Sequence, residues 1–415
     1  MERRHLVNHR KSAYLFLLVF ISYALIYMTK NCYSAAMASI VNAGVMTKSQ
    51  TGLIAAAFYL VYAPFQIVGG VAADRFSPSK LILIGMLGAG VCNLLVYLVD
   101  GYVAMIIIWS LNAVLQFGIW PSIFKIVVSE LAPEDRMRGI FLINFSSSFG
   151  LLISYGIAIF ISEWKLNFLV SAITLFTLAA SFFFIYKYLS RDMVKDFDAT
   201  DIKAKRKTSV SVSGKELFKL LIKAGIPLML IVGMAQSMIN LGVKALAPTM
   251  LMESYEAVSP SLANALNIIL VIAGPIGLCV SRLPFFRKFN EPLVITCFFA
   301  VMLAPLFVIT FIGKLPVGVI VTALFFLMVT TSGTSIFFSY IYKKFEKYGS
   351  VATLSGLFNC MSSLGIVLAN YVFARMADSF GWEITTLCWF IFIAAAFLLM
   401  LASVPIWKRF EKKYL

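Results

Sequence analysis

The chain has 415 residues, 61% of them hydrophobic and only 13% charged, with a formal net charge of +16. A mean hydropathy of +0.91 excludes the soluble globular classes. The positive charge is spread over many short loops between apolar stretches, which excludes a nucleic-acid partner. Six cysteines lie in apolar stretches without C-x-x-C spacing and read as small buried hydrophobes, not as a disulfide frame or metal site. The two histidines, His5 and His9, sit in the N-terminal tail, so no cofactor, metal or enzymatic chemistry is expected.

A membrane-crossing helix needs about 20 apolar residues. The sequence predicts twelve, near 13–38, 49–73, 79–98, 103–128, 138–162 and 166–189, then 224–249, 261–281, 291–313, 317–342, 350–376 and 383–407. The first follows basic residues, but it is longer than a signal-peptide core and has no clear cleavage site, so it is expected to remain. Between the two sets of six lies the one long hydrophilic stretch, 190–222, with an amphipathic piece around Lys215–Lys223. The expected architecture is an all-α integral membrane protein. It comprises a six-helix bundle over 1–189, a linker over 190–222, and a second bundle over 223–415 related to the first by a pseudo-two-fold axis. Lys and Arg cluster at the termini, in alternate loops and in the linker, whereas the other side keeps only Lys48, Lys165, Lys314 and Arg375. By the positive-inside rule both termini are cytoplasmic, in the cell membrane. A monomer in contact with lipid is expected.

In chain order, the first unusual feature is Lys30, deep in the first span. A cation at the bilayer centre costs roughly 2.5–3.5 kcal/mol on insertion scales and usually faces a water-filled cavity; the alternative is snorkelling or bonding to carbonyls. Tyr23, Tyr27, Lys30 and Ser34 recur at three- and four-residue spacing and share one helix face. After the second span comes G-G-V-A-A-D-R-F-S-P-S-K, with Gly70, Asp74, Arg75 and Lys80. Asp74 ends a helix, where it can pair with a basic residue or a helix N-terminus. The fourth span carries Gln116, Trp120 and Lys125. The fifth has I-N-F-S-S-S-F-G and the eleventh F-N-C-M-S-S-L-G, so that Asn144 matches Asn359 and Ser147 matches Ser362. That repeat marks a transporter built from two six-span halves with its site near midplane. The seventh span holds a second deep lysine, Lys244, one helical turn beyond Asn240.

The G-x-x-x-D-R pattern at Gly70, Asp74 and Arg75, followed by Lys80, resembles the loop signature of the major facilitator superfamily, in which it acts as a conformational latch. Ser77 stands where a glycine is usual, and the corresponding loop of the second half lacks the acid. T-K-N-C-Y-S-A-A-M, D-R-F-S-P-S-K, L-N-A-V-L-Q-F-G-I-W-P-S and L-G-V-K-A-L-A-P-T-M-L resemble segments of the organophosphate:phosphate antiporter family, which includes glycerol-3-phosphate and hexose-phosphate transporters. Lys30 matches that family's lysine. The family's two phosphate-gripping arginines fall at Thr29 and Asn240, and its histidine falls at Ser147. An arginine fork holds phosphate bidentately, and threonine and asparagine cannot replace it.

The sequence therefore predicts a secondary transporter of a small anionic or polar solute, working by alternating access. Its candidate substrate-binding residues are Tyr27, Thr29, Lys30, Tyr33, Tyr62, Gln116, Trp120, Asn144 and Ser147 in the first half. In the second they are Gln236, Asn240, Lys244, Asn359 and Ser362. Without mid-span acids or histidines, exchange or facilitated transport is favoured over proton coupling. Two alternatives stay open: a ligand-sensing receptor of transporter-like build, and a lipid or amphiphile translocase. The absence of a G-x-x-x-x-G-K-[ST] motif disfavours ATP-driven transport.

Overall fold

The structure is a computed structural model that describes residues 4–161, 163–195, 214–258 and 260–414. The helices are α1 (His9–Asn42), α2 (Lys48–Arg75), α3 (Pro78–Leu98), α4 (Tyr102–Leu115), α5 (Ile119–Ser129), α6 (Arg136–Phe160) and α7 (Trp164–Ser190). They are followed by α8 (Gly214–Lys223), α9 (Ile226–Ser254), α10 (Pro260–Val280), α11 (Glu291–Ile309), α12 (Val317–Lys344), α13 (Val351–Val367), a π-helical turn (Leu368–Phe373) and α14 (Ala374–Tyr414). Among the described residues, eleven helices are long and apolar enough to cross a membrane, and Ala265–Val280 is a shorter apolar helix. The protein is an all-α integral membrane protein. Gly381, at φ +79°, breaks α14, so residues before it complete the eleventh span and those after it form the twelfth.

By packing, the chain falls into two compact units. One comprises Met1–Ser211 with Phe345–Cys360; the other comprises Val212–Lys344 with Met361–Leu415. In the first unit, α1 packs on α6 and α7, α3 on α7, and α2 on α4. An aromatic core forms where α1, α2, α4 and α7 meet. Tyr33 and Trp109 have ring centroids 5.4 Å apart, Phe58 and Trp109 5.7 Å, and Trp109 meets Phe168 edge-on at 5.7 Å. Lipid is as apolar as leucine, so helix association rests on close packing and interhelical hydrogen bonds. At the α1–α6 crossing a Cβ on Gly150 would run into the carbonyl oxygen of Ala24. The entry to α2 is a capping box: Gln50 N donates to Thr47 Oγ1 at 3.2 Å and Thr47 N to Gln50 Oε1 at 2.9 Å.

The fourth span is interrupted between α4 and α5, and the cause lies in Pro121. Proline has no N–H to give the carbonyl four residues earlier, so Phe117 O loses its helical partner. Gln66 Nε2, from α2, donates to that carbonyl at 3.1 Å. Gly69, one turn along, lets the carbonyl approach, since any Cβ there would collide with it.

At one end of this unit, β1 (Arg4–His5) pairs antiparallel with β2 (Val194–Lys195), and the buried Leu6 donates its N–H to Glu130 O at 3.0 Å. In the second unit, α12 packs on α10 and α11, and α11 packs on α14. Lys344 Nζ lies 2.7 Å from Glu291 Oε2 and 2.5 Å from Glu411 Oε1, tying α12 to α11 and α14.

Candidate functional site

Lys30 sits on α1, partly exposed, with its ammonium among four aromatic rings. Nζ is 3.8 Å from the ring centroid of Tyr62, 5.4 Å from Tyr59, 5.5 Å from Phe58 and 5.9 Å from Tyr27. Ring faces carry negative quadrupole potential, so each attracts the cation. Among the described residues no carboxylate lies within ion-pair distance of Lys30. The aromatic surface continues along α1: Tyr27 and Tyr23 have centroids 5.9 Å apart, and Tyr23 meets Trp120 of α5 at 4.7 Å. Tyr23, Tyr27, Tyr59 and Trp120 are all partly exposed, whereas Phe58 and Tyr62 are buried behind them.

The other residues expected at this site divide by where their polar atoms point. Tyr33 belongs to the aromatic core, 1% exposed, and its hydroxyl donates to Thr51 O at 2.9 Å. It is packing, because its ring fills the space between α1, α4 and α7. Thr29 is fully buried and donates to Ile26 O of its own helix at 2.9 Å. Gln116 is 2% exposed and donates to Asn112 Oδ1 at 2.8 Å. These three point into the packed interior, a difference from the sequence expectation, because spacing alone cannot separate a cavity face from a neighbouring helix face. Asn144 and Ser147, on α6, are partly exposed and donate backward to Ile140 O at 2.6 Å and Asn144 O at 3.3 Å.

The second unit gathers a polar cluster on α9 and α12. Lys244 Nζ donates to Asn240 Oδ1 at 2.9 Å. Asn240 Nδ2 reaches Ser332 Oγ at 3.0 Å and Thr331 Oγ1 at 3.2 Å. One turn back, Gln236 Nε2 donates to Thr331 O at 2.8 Å. Lys244 and Asn240 are partly exposed and Gln236 is buried. Ser362, on α13, is partly exposed. A separate groove of about 540 Å³ between α11 and α12 is walled by Val301, Pro305, Val308 and Phe326. Its Thr322 and Thr330 hydroxyls bond their own helix carbonyls, so its wall is apolar.

The residues of the loop signature form a second cluster within the first unit. Asp74, near the C-terminus of α2, accepts three hydrogen bonds from the first turn of α13. Ala352 N donates to Oδ1 at 3.2 Å, and Thr353 N and Thr353 Oγ1 both donate to Oδ2 at 2.7 Å. The first turn of a helix has N–H groups without intrahelical partners, and Asp74 caps them from another helix. One turn earlier on α2, a Cβ on Gly70 would stand 2.5 Å from Ala352 O and 3.0 Å from Thr353 Cα. Another turn back, Gln66 Oε1 accepts from Asn359 Nδ2 at 3.0 Å. Residues 66, 70 and 74 thus run antiparallel against 359, 356 and 352–353, with Gly356 against the Gln66 carbonyl at the midpoint. Lys125 of α5 donates to the carbonyls of Ala73 and, at 3.0 Å, Asp74, complementing the negative end of α2. Arg75 and Lys80 are exposed.

Outside the spans, among the described residues, one carboxyl is strongly perturbed. Burial pushes Glu130, at the end of α5, up to about 7, against the opposing pull of the Tyr186 hydroxyl bond and Lys125. Tyr186 Oη donates to Glu130 Oε2 at 2.9 Å.

A run of membrane-crossing helices, a lysine ringed by aromatic side chains, and an acid-capped helix crossing at G-x-x-x-D-R together narrow the family. Residues 19–370 match the family model of the Major Facilitator Superfamily. The chain belongs to the Major Facilitator Superfamily. Among curated proteins it is 35% identical over 101 residues to the membrane sensor protein UhpC of Salmonella typhimurium, covering 24% of this chain and 23% of that one. It is 24% identical over 122 residues to a probable hexose phosphate transport protein of Chlamydia trachomatis, covering 29% and 27%. It is 27% identical over 186 residues to the hexuronate transporter of Bacillus subtilis, covering 44% of each. These matches span less than half the length of the relatives. Among solved structures, the human organic anion transporter MFSD10 (TETRAN) gives a TM-score of 0.66 at 14% identity, over 95% of this chain and 99% of that one. The transporter FucP in its outward conformation gives 0.67 at 15% identity over the same shares. At those identities the likeness concerns the fold, which is that of this superfamily.

Proposed function

We propose that the protein is a secondary transporter of small organic anions, working by alternating access in the cell membrane with both termini cytoplasmic. The observation that carries this reading is Lys30: a cation on a membrane-spanning helix, partly exposed, among aromatic rings and with no acid in ion-pair reach among the described residues. A cation on a membrane span without a counter-charge is costly, and an anionic solute supplies that counter-charge. Relatives named as a probable hexose phosphate transport protein, a hexuronate transporter and a probable sulfoacetate transporter support an anionic cargo. Lys244, held by Asn240, offers a second cation in the other unit. The Asp74–Thr353 cap and the Gly70–Gly356 crossing act as the latch, because α13 cannot leave α2 without uncapping its first turn. With no acid mid-span, exchange or facilitated transport is the mode. Uptake of labelled organic anions into proteoliposomes tests the reading, and absence of uptake for every anion class would refute it.

A sensor role is the second reading, favoured by the match to UhpC. It predicts specific anion binding without transport, which the same proteoliposomes separate from carriage.

A further inference from the structure

In the first unit, the polar side chains that a sugar-phosphate site would use each spend a hydrogen bond on the protein itself. Thr29 and Asn31 donate to Ile26 O and Tyr27 O of their own helix. Asn144 and Ser147 donate to carbonyls of α6. Gln116 is bonded to Asn112, and Gln66 to Phe117 O. What the first unit presents beside Lys30 is a partly exposed aromatic strip, Tyr27, Tyr23 and Trp120, with ring centroids 5.9 and 4.7 Å apart along it. A site that rewards hydroxyl groups must hold hydrogen-bonding partners for them, since a polar group desolvated without a partner weakens binding. Aromatic faces instead favour offset or edge contact with another ring. The charge beside this strip, within the first unit, is equally specific. Lys30 is a single ammonium, a point charge without the planar fork that grips a phosphate dianion, and it already leans on Tyr62 at 3.8 Å.

We infer that the preferred solute is an aromatic monoacid, a carboxylate or sulfonate on an arene, whose acid group sits on Lys30 while its ring stacks along Tyr27, Tyr23 and Trp120. This rests on the organic-anion reading above and narrows it to a class that the curated relatives' names do not contain.

The test is binding to the purified full-length protein, read as thermal shift and by competition. The probes are phenylacetate, benzenesulfonate, glucuronate, glucose 6-phosphate and the neutral benzyl alcohol. The two aryl anions are expected to bind at least about tenfold more tightly than the two sugar anions, with benzyl alcohol inactive, because ring and charge are both required. Trp120→Ala should weaken the aryl anions about tenfold and Trp120→Phe much less, as expected when a ring face carries the contact. Tyr23→Leu provides the same test should Trp120→Ala fail to fold. If glucuronate or glucose 6-phosphate binds as tightly as the aryl anions and depends on Lys30, the aromatic assignment is overturned while the organic-anion reading stands. Aryl binding indifferent to Lys30→Met and Trp120→Ala would be partition into detergent, and it would also overturn the assignment. If no anion binds in a Lys30-dependent way, the underlying reading falls, and this inference with it.

Discussion

Asp74→Asn is the perturbation whose effect the structure specifies most closely. One carboxylate takes two backbone N–H groups and one hydroxyl from the first turn of α13, at 3.2, 2.7 and 2.7 Å. Asparagine keeps one acceptor oxygen and places an NH2 group where the other stood. At least one of the Ala352 and Thr353 amides therefore loses its partner, and the helix end loses a complementary charge. A hydrogen bond to a charged group contributes about 1.5–3 kcal/mol. That corresponds to a local opening equilibrium raised roughly 10- to 150-fold. Amide hydrogen exchange reads this opening directly. A peptide covering 350–356 should exchange faster in Asp74→Asn by that factor, while peptides in α3 and α7 stay unchanged. Thr353→Val should show a smaller effect, since it removes the hydroxyl bond and leaves both amides capped. Equal protection of 350–356 in wild type and Asp74→Asn would refute the cap.

Three further outcomes follow from other contacts. Gly70→Ala places a methyl 2.5 Å from Ala352 O, which calls for backbone movement; a destabilisation of about 1–3 kcal/mol is expected, and an unchanged thermal midpoint would contradict the crossing. Glu130 has its folded-state pKa raised to about 7, so the folded protein holds this proton more tightly than the unfolded chain. Its contribution to stability is greatest below about pH 4.5, declines as pH rises toward 7 and is flat above, with an upper bound of about 3 kcal/mol. Glu130→Gln should remove that slope and raise the thermal midpoint at pH 8 relative to wild type; a midpoint at pH 8 no higher than wild type counts against it. Inorganic phosphate should exchange poorly in proteoliposomes, since Thr29 is bonded to its own helix and Asn240 is held among Lys244, Thr331 and Ser332; robust phosphate counterflow would show that lysines alone can grip it.

Much of the fold was legible because the membrane imposes one strong rule. Spans must be apolar and about 20 residues long, and polarity breaks such as Asp100–Gly101 and Gly381 mark the boundaries. The break in the fourth span was readable in principle from Pro121, since its missing N–H orphans Phe117 O. The site was legible only in part. The spacing of Tyr23, Tyr27 and Lys30 puts them on one face, and the structure has them together. That Tyr33 and Thr29 turn into the core depends on where α4 and α7 pack, and single-helix periodicity carries no such information. The aromatic surround of Lys30 comes largely from Phe58, Tyr59 and Tyr62 of α2. Tyr62 is among the sequence candidates; Phe58 gives no signal beyond one more apolar residue. Thr353 was equally silent, because its partner Asp74 lies far away in sequence.

On the proposed function, Lys30 is the charge that recognises an organic anion. Uptake into proteoliposomes by wild type and Lys30→Met, over phenylacetate, benzenesulfonate, glucuronate, glucose 6-phosphate and sulfoacetate, tests it most directly. Methionine has similar length and its sulfur packs well against rings, so the variant should remain monodisperse with a near-wild-type thermal midpoint. Wild type should accumulate at least one of these anions, and Lys30→Met should lose it, its affinity weakened by about 1.5–3 kcal/mol, or roughly 10- to 150-fold. A well-folded Lys30→Met that transports the same anion at the wild-type rate would refute this role and leave Lys30 a structural residue held by its aromatic neighbours.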